Sequence, residues 1–206
     1  MLEARELEAT RGDVTLFRGL GFRLMPGALL RVTGANGSGK TSLLRALCGL
    51  LLPTAGEVHW KGENIRALRE DYWEHLLYIG HADALKDDLT PEENLAFACG
   101  IAGLTVPHER VHAALARFGL AGRERLPVRA LSQGQRRRAV LARLAVGEAQ
   151  PLWVLDEPFA ALDAAGIDLV QSLAGEHLAR GGIVVLTTHQ DARIKAPSVT
   201  DINLDH

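Results

Sequence analysis

One short segment constrains this chain more than any other: Gly34-Ala35-Asn36-Gly37-Ser38-Gly39-Lys40-Thr41, with Ser42 behind it. It fits the spacing G-x-x-x-x-G-K-[ST] at every position. The apolar run 28–33 leads into it, and a helical stretch from about Thr41 to Cys48, ended by Gly49, follows. A strand, a glycine-rich loop and a helix in that order make a cradle for phosphate. Glycines let the backbone curl so that successive N–H groups face phosphate oxygens, and the helix presents its positive end. Lys40 sets a charge against β- and γ-phosphates, and the Thr41 hydroxyl suits Mg²⁺. A chance glycine-rich turn would match this pattern in roughly one chain in a hundred of this length, and the flanking strand and helix lower that figure. The segment predicts nucleotide binding.

The rest of the chain agrees with an α/β fold. Residues 2–9 and 14–24 are expected to be antiparallel strands around the turn Arg11-Gly12-Asp13. The apolar runs 152–155 and 183–187 lack hydrophobic/polar alternation, as strands buried on both faces of a parallel sheet do. Between them, residues 164–180 carry helical spacing and stop at Gly181-Gly182. From about Pro91 to Ala145 the pattern is mostly helical, with Pro91, Pro107 and Ser132 placed to open helices. A single domain is expected over residues 1–206, with a core at about 1–80 and 146–206 and a helical insertion at about 81–145.

The run Leu152-Trp153-Val154-Leu155 ends in Asp156 and Glu157. Ligands of open parallel sheets sit off the carboxyl ends of the strands, so Asp156 is placed to hold a metal and Glu157 to polarise an attacking water. Alone, two carboxylates at a strand end more often meet only solvent; with the phosphate loop in the same chain, the catalytic reading prevails. Leu131-Ser132-Gln133-Gly134-Gln135 opens another helix, with Ser132 as N-cap and a second set of unpartnered N–H groups.

That segment resembles the L-S-x-G-Q signature of the ATP-binding-cassette (ABC) ATPases, and it lies just upstream of the Asp156 strand, as in that family. Ala161-Leu162-Asp163 resembles the family's D-loop, and His189, after Thr187-Thr188, its switch histidine. The resemblance spans nearly the whole chain. It implies a P-loop NTPase fold: a RecA-like core with a parallel sheet, an N-terminal antiparallel β subdomain and an inserted helical signature subdomain. It further implies that ATP with Mg²⁺ is sandwiched in a head-to-tail homodimer, so that Ser132, Gly134 and Gln135 act on the partner's nucleotide. Hydrolysis then drives a membrane subunit docked beside the Q-loop.

Two positions depart from the family pattern. His81 stands where the Q-loop glutamine is expected, and Arg11 where an aromatic ring would stack on adenine. An imidazole can bond water near the metal, and it titrates near neutral pH. A planar guanidinium can stack on the base, with a plain turn arginine as the alternative. The stretch Ile79-Gly80-His81 through Leu85-Lys86 to Glu93-Asn94-Leu95 resembles the ATPase subunits of cytochrome c maturation systems. That resemblance implies haem export or delivery, a haem-chaperone pathway, an integral membrane permease, and a place on the cytoplasmic face of a bacterial inner membrane. A motor for a lipid or drug, or a mechanical ATPase, is the alternative.

Composition excludes other roles. A formal net charge of −2 gives no electrostatic basis for a nucleic-acid partner. No run of some eighteen apolar residues spans a membrane, and the charged N-terminus lacks the apolar segment of a signal peptide. Cys48 and Cys99 are expected to be buried thiols, there is no C-x-x-C-H motif, and the eight histidines are scattered along the sequence.

Overall fold

The computed structural model describes residues 1–188 and 193–205. Strand β1 (Leu2–Arg11) pairs antiparallel with β2 (Val14–Leu24). Strand β3 (Ala28–Thr33) then enters the phosphate loop, and α1 (Lys40–Leu47) leaves it. Strands β4 (Ala55–Trp60) and β5 (Glu63–Asn64) extend the first sheet to the order β2-β1-β4-β5. Short helices α2 (Ile65–Leu68) and α3 (Glu70–Glu74) lead to β6 (Leu76–Ile79).

Helices α4 (Pro91–Ile101), α5 (His108–Arg117) and α6 (Gln133–Leu141) follow before the chain returns to β7 (Leu152–Leu155). Helix α7 (Ala164–Ala179), β8 (Ile183–Thr187) and β9 (Ser198–Asn203) complete it. The second sheet has the order β6-β7-β8-β3-β9, and every pairing in it is parallel. This is the α/β architecture the sequence predicts. Strand β1 runs on to Arg11, which pairs with Val14, so Arg11 ends a strand and the turn is Gly12-Asp13. The expected helical stretch is interrupted: residues 118–132 are turns with one 3₁₀ segment.

The central strands explain their own lack of alternation. Trp153, Leu155, Val184 and Leu186 enter a core shared with α4–α7. Leu152, Val154, Ile183 and Val185 face the opposite way, into a core shared with α1 and the antiparallel sheet. Both faces are covered, so polar residues have no place on these strands except at their ends. Helix starts are set by local chemistry. Thr90 and Glu93 cap α4 reciprocally ahead of Pro91, and Ser132 and Gln135 do the same for α6. Both cysteines are buried and free, and burial pushes the Cys48 thiol far up, with the Asp156 carboxylate adding to it.

Candidate functional site

The carboxyl ends of the parallel strands converge on one cleft of about 480 Å³. The phosphate loop forms one wall, contributing Asn36, Gly37, Gly39, Lys40, Thr41 and Ser42. Asp156 and Glu157 come from the end of β7, His81 follows β6, and Arg11 reaches in from the β1–β2 hairpin. Of the positions singled out in sequence, these ten share the cleft.

The loop's conformation depends on glycine at Gly39, where φ is +103° and a Cβ would stand 2.9 Å from that of Leu16. The Lys40 ammonium lies back over the loop, donating to the carbonyls of Gly34 (2.7 Å) and Ala35 (2.9 Å). The Ala35 N–H donates to the Asp205 carboxylate at 2.5 Å. The Ser38 hydroxyl is buried without a hydrogen-bond partner among the described residues. A curled loop, a lysine at its centre and an orphaned hydroxyl fit a phosphate-bearing ligand. For a divalent cation the donors are equally apt. The Thr41 hydroxyl donates to Asp156 Oδ2 at 2.7 Å, bringing together a hydroxyl and a carboxylate, the hard oxygen donors that Mg²⁺ takes.

Behind this pair lies a polar lattice. Thr187 Oγ1 donates to Asp156 Oδ1 at 2.7 Å and accepts the Glu157 N–H at 2.8 Å. Arg137, from α6, is buried and donates to the carbonyls of Glu157 (2.7 Å), Asp156 (3.1 Å) and Gly80 (3.3 Å). Burial pulls its guanidinium below the usual range, while Asp83, 3.6 Å away, opposes that shift. Glu157 itself has φ +49°, a left-handed conformation that a non-glycine residue holds only when its surroundings impose it. Thr187 grips its N–H and Arg137 its carbonyl, so both ends of the residue are clamped.

The signature residues lie elsewhere. Ser132, Gly134, Gln135 and Asp163 do not line the cleft. The Gln135 amide oxygen accepts the Ser132 N–H at 3.0 Å, and the Ser132 hydroxyl accepts the Gln135 N–H at 3.3 Å. A Cβ on Gly134 would approach the Ala161 carbonyl to 3.1 Å, so the start of α6 lies directly on the D-loop segment. Asp163 caps α7 through the Gly166 N–H (2.9 Å) and takes Arg138 in a two-oxygen pair at 2.6 and 2.7 Å. The Gly166 N–H and Arg138 together hold its carboxyl below the usual range. His189 lies outside the described residues.

Three functional neighbours escape the motif reading: Arg137, Thr187 and Asp205. Arg137 did leave a trace, since it precedes Val140 and Leu141 by three and four positions, and helical spacing puts it on the buried face. Asp205 left none. Of the eight histidines along the chain, two only four positions apart, His108 and His112, meet Glu92 in space.

A family model described as ABC transporter matches residues 17–160. The cytochrome c biogenesis ATP-binding export protein CcmA of Aromatoleum aromaticum is 54% identical over 204 residues, covering 98% of this chain and 95% of that protein. Its namesake in Nitrosomonas europaea is 52% identical over 191 residues, covering 93% and 89%. Among solved structures, an ATP-binding subunit of an ABC transporter superposes with a TM-score of 0.86 at 26% identity, covering 99% of this chain and 86% of that one. A dimeric post-hydrolysis cassette bound to ADP and Pi has the same fold, with a TM-score of 0.85 at 21% identity and coverage of 98% and 94%. The chain belongs to the ABC transporter family and, within it, to the cytochrome c biogenesis ATP-binding export proteins.

Proposed function

We propose that this chain is the ATP-hydrolysing motor of a transporter complex that drives haem export or delivery for c-type cytochrome assembly, working at the cytoplasmic face of a bacterial inner membrane. The observation that carries the catalytic part is the meeting of Lys40, Thr41, Asp156 and Glu157 at one cleft, and the similarity to cytochrome c biogenesis proteins supports the pathway. Gly34 to Ser42 would cradle the phosphates, Lys40 would turn from its loop carbonyls to the β- and γ-phosphates, and Thr41 and Asp156 would hold Mg²⁺. When bound, Mg²⁺ neutralises charge on the phosphate oxygens. Glu157 orients the attacking water and draws on its proton. His81 bonds water beside the metal, His189 contacts the γ-phosphate, and Arg11 stacks on the base.

Two copies associate head to tail in the ATP state, each offering Ser132, Gly134, Gln135 and Asp163 to its partner's nucleotide. The helical unit, about 81–145, moves against the core, about 1–80 and 146–206. Among the described residues no helix is long and apolar enough to cross a membrane, so an integral permease is needed. A groove of about 500 Å³ bounded by Leu50, Trp73, Tyr78 and Ile101 receives it; Trp73 and Ile101 are exposed there, where an apolar element of the permease would bury them.

The test is deletion of the gene in its host, with membranes stained for covalently bound haem and complementation by wild type or Glu157→Gln. Loss of c-type cytochromes with b-type haem intact, restored by wild type alone, is expected. Unaffected c-type cytochromes would overturn the pathway assignment. Turnover of purified Glu157→Gln at the wild-type rate would overturn the role of Glu157.

A further inference from the structure

The helical layer contains a cluster that the nucleotide chemistry does not use. Glu92 stands in the first turn of α4, and His108 and His112 stand on α5. Four positions apart on a helix, the two imidazoles share one face. Their ring centroids are 4.3 Å apart, tilted by 33°. His112 Nε2 is 2.9 Å from Glu92 Oε2, and His108 Nε2 contacts Glu92 Oε1. One carboxylate thus serves two imidazoles, one oxygen to each, and one ligand atom from each residue falls within 4.8 Å of the others.

The two helices that carry the cluster are packed into the core. Helices α4 and α5 pack through Leu95, Cys99, Val111 and Leu115, all in the main core. The Glu92 N–H donates to the Glu124 carbonyl at 3.3 Å, tying the start of α4 to the segment beyond α5. The Glu92 side chain is 17% exposed, that of His112 32% and that of His108 59%, so the site is open to solvent on one side while its carboxylate is withdrawn. With both imidazoles neutral the cluster carries a single negative charge.

We propose that Glu92, His108 and His112 bind a borderline divalent transition metal of the Zn²⁺ class, at a site separate from the nucleotide cleft. Two imidazole nitrogens and a carboxylate match that class, whereas Mg²⁺ and Ca²⁺ favour all-oxygen sets. Tetrahedral bonds of about 2.0–2.2 Å space ligand atoms roughly 3.3–3.6 Å apart, so small side-chain rotations bring these three atoms, within 4.8 Å of one another, onto one ion. The metal fastens α4 to α5, and its remaining positions are free for water or a side chain of a partner protein.

The experiment is titration of the untagged, metal-stripped, nucleotide-free full chain with Co²⁺, followed through its visible d–d absorption, then displacement with Zn²⁺. One equivalent is expected, displaced by Zn²⁺ and untouched by millimolar Mg²⁺. His108→Gln and His112→Gln should each weaken binding by roughly tenfold or more, and Glu92→Gln likewise, while far-UV circular dichroism and ATP turnover stay at wild-type values. Equal Co²⁺ titrations for wild type and the double variant His108→Gln/His112→Gln would overturn the proposal, as would a wild type that gives no d–d bands. The single variants keep the test valid if the double variant folds poorly, because equal titrations there also count against the site.

Discussion

Replacing Thr187 with valine keeps the shape of a fully buried side chain and removes one oxygen. That oxygen donates to Asp156 Oδ1 at 2.7 Å and accepts the Glu157 N–H at 2.8 Å. A hydrogen bond to a charged acceptor contributes about 1.5–3 kcal/mol, and a buried amide left without a partner costs about 1–3 kcal/mol. Asp156 keeps its bond from Thr41, which moves the total toward the low end, about 3 kcal/mol. At about 2–4 °C per kcal/mol for a chain of this size, the melting temperature should drop by about 6–12 °C. Activity should suffer more than affinity. Glu157 sits at φ +49°, a conformation that costs about 1–3 kcal/mol, and without Thr187 its N–H loses the grip that complements the hold of Arg137 and the Ala160 N–H on its carbonyl. Turnover should fall at least tenfold while ATP affinity changes little. The assay is a thermal melt and a urea titration of Thr187→Val beside Thr187→Ser, which retains the oxygen, with steady-state ATP hydrolysis and nucleotide binding on each. If Thr187→Val melts and turns over like Thr187→Ser, the clamp on Glu157 is not what holds the site.

Ser132→Arg removes the capping hydroxyl of α6, at about 1 kcal/mol; it should abolish ATP turnover while the isolated chain binds ATP normally, and a large loss of that binding would refute action on a partner's nucleotide. His177 stacks on Trp153 at 4.0 Å, and burial pushes its imidazole down to about 4 from 6.5. The unfolded chain therefore takes up this proton first, so stability is full above pH 6.5, falls as pH drops through that window, and levels off below pH 4. The difference amounts to about 3 kcal/mol. Denaturant titrations of His177→Phe should be much flatter between about pH 5 and 6.5, above the range in which the carboxylates contribute, and an unchanged slope there would refute the assignment.

The parts of the fold visible in sequence are those in which one local rule decides the outcome. Runs such as 152–155 and 183–187 had to be doubly buried strands because no polar residue interrupts them, and Pro91 and Ser132 had to open helices because a proline suits the first helical position and Ser132 faces Gln135 three residues on. Strand β4 was less legible: its residues read as a strand only because β1 offers a free edge. The same division holds in the site. Lys40, Thr41, Asp156 and Glu157 are legible because their spacing is dictated by phosphate and metal. Asp205 and the pair His108–His112 are not, since their partners come from segments that only tertiary packing brings near.

The order of strands in the parallel sheet has a consequence for synthesis. Strand β3, which delivers the chain to the phosphate loop, hydrogen-bonds to β8 and β9 from the far end of the chain, with Leu29 opposite Val184 and Val199. At about 5–20 residues per second, β3 leaves the ribosome on the order of ten seconds before either neighbour exists. For that interval the first sheet and α1 must shelter an apolar edge strand alone. The nascent chain is thus most exposed to aggregation between the emergence of β3 and that of β8, and slowed translation of the last forty or so codons should lower yield more than the same delay placed earlier.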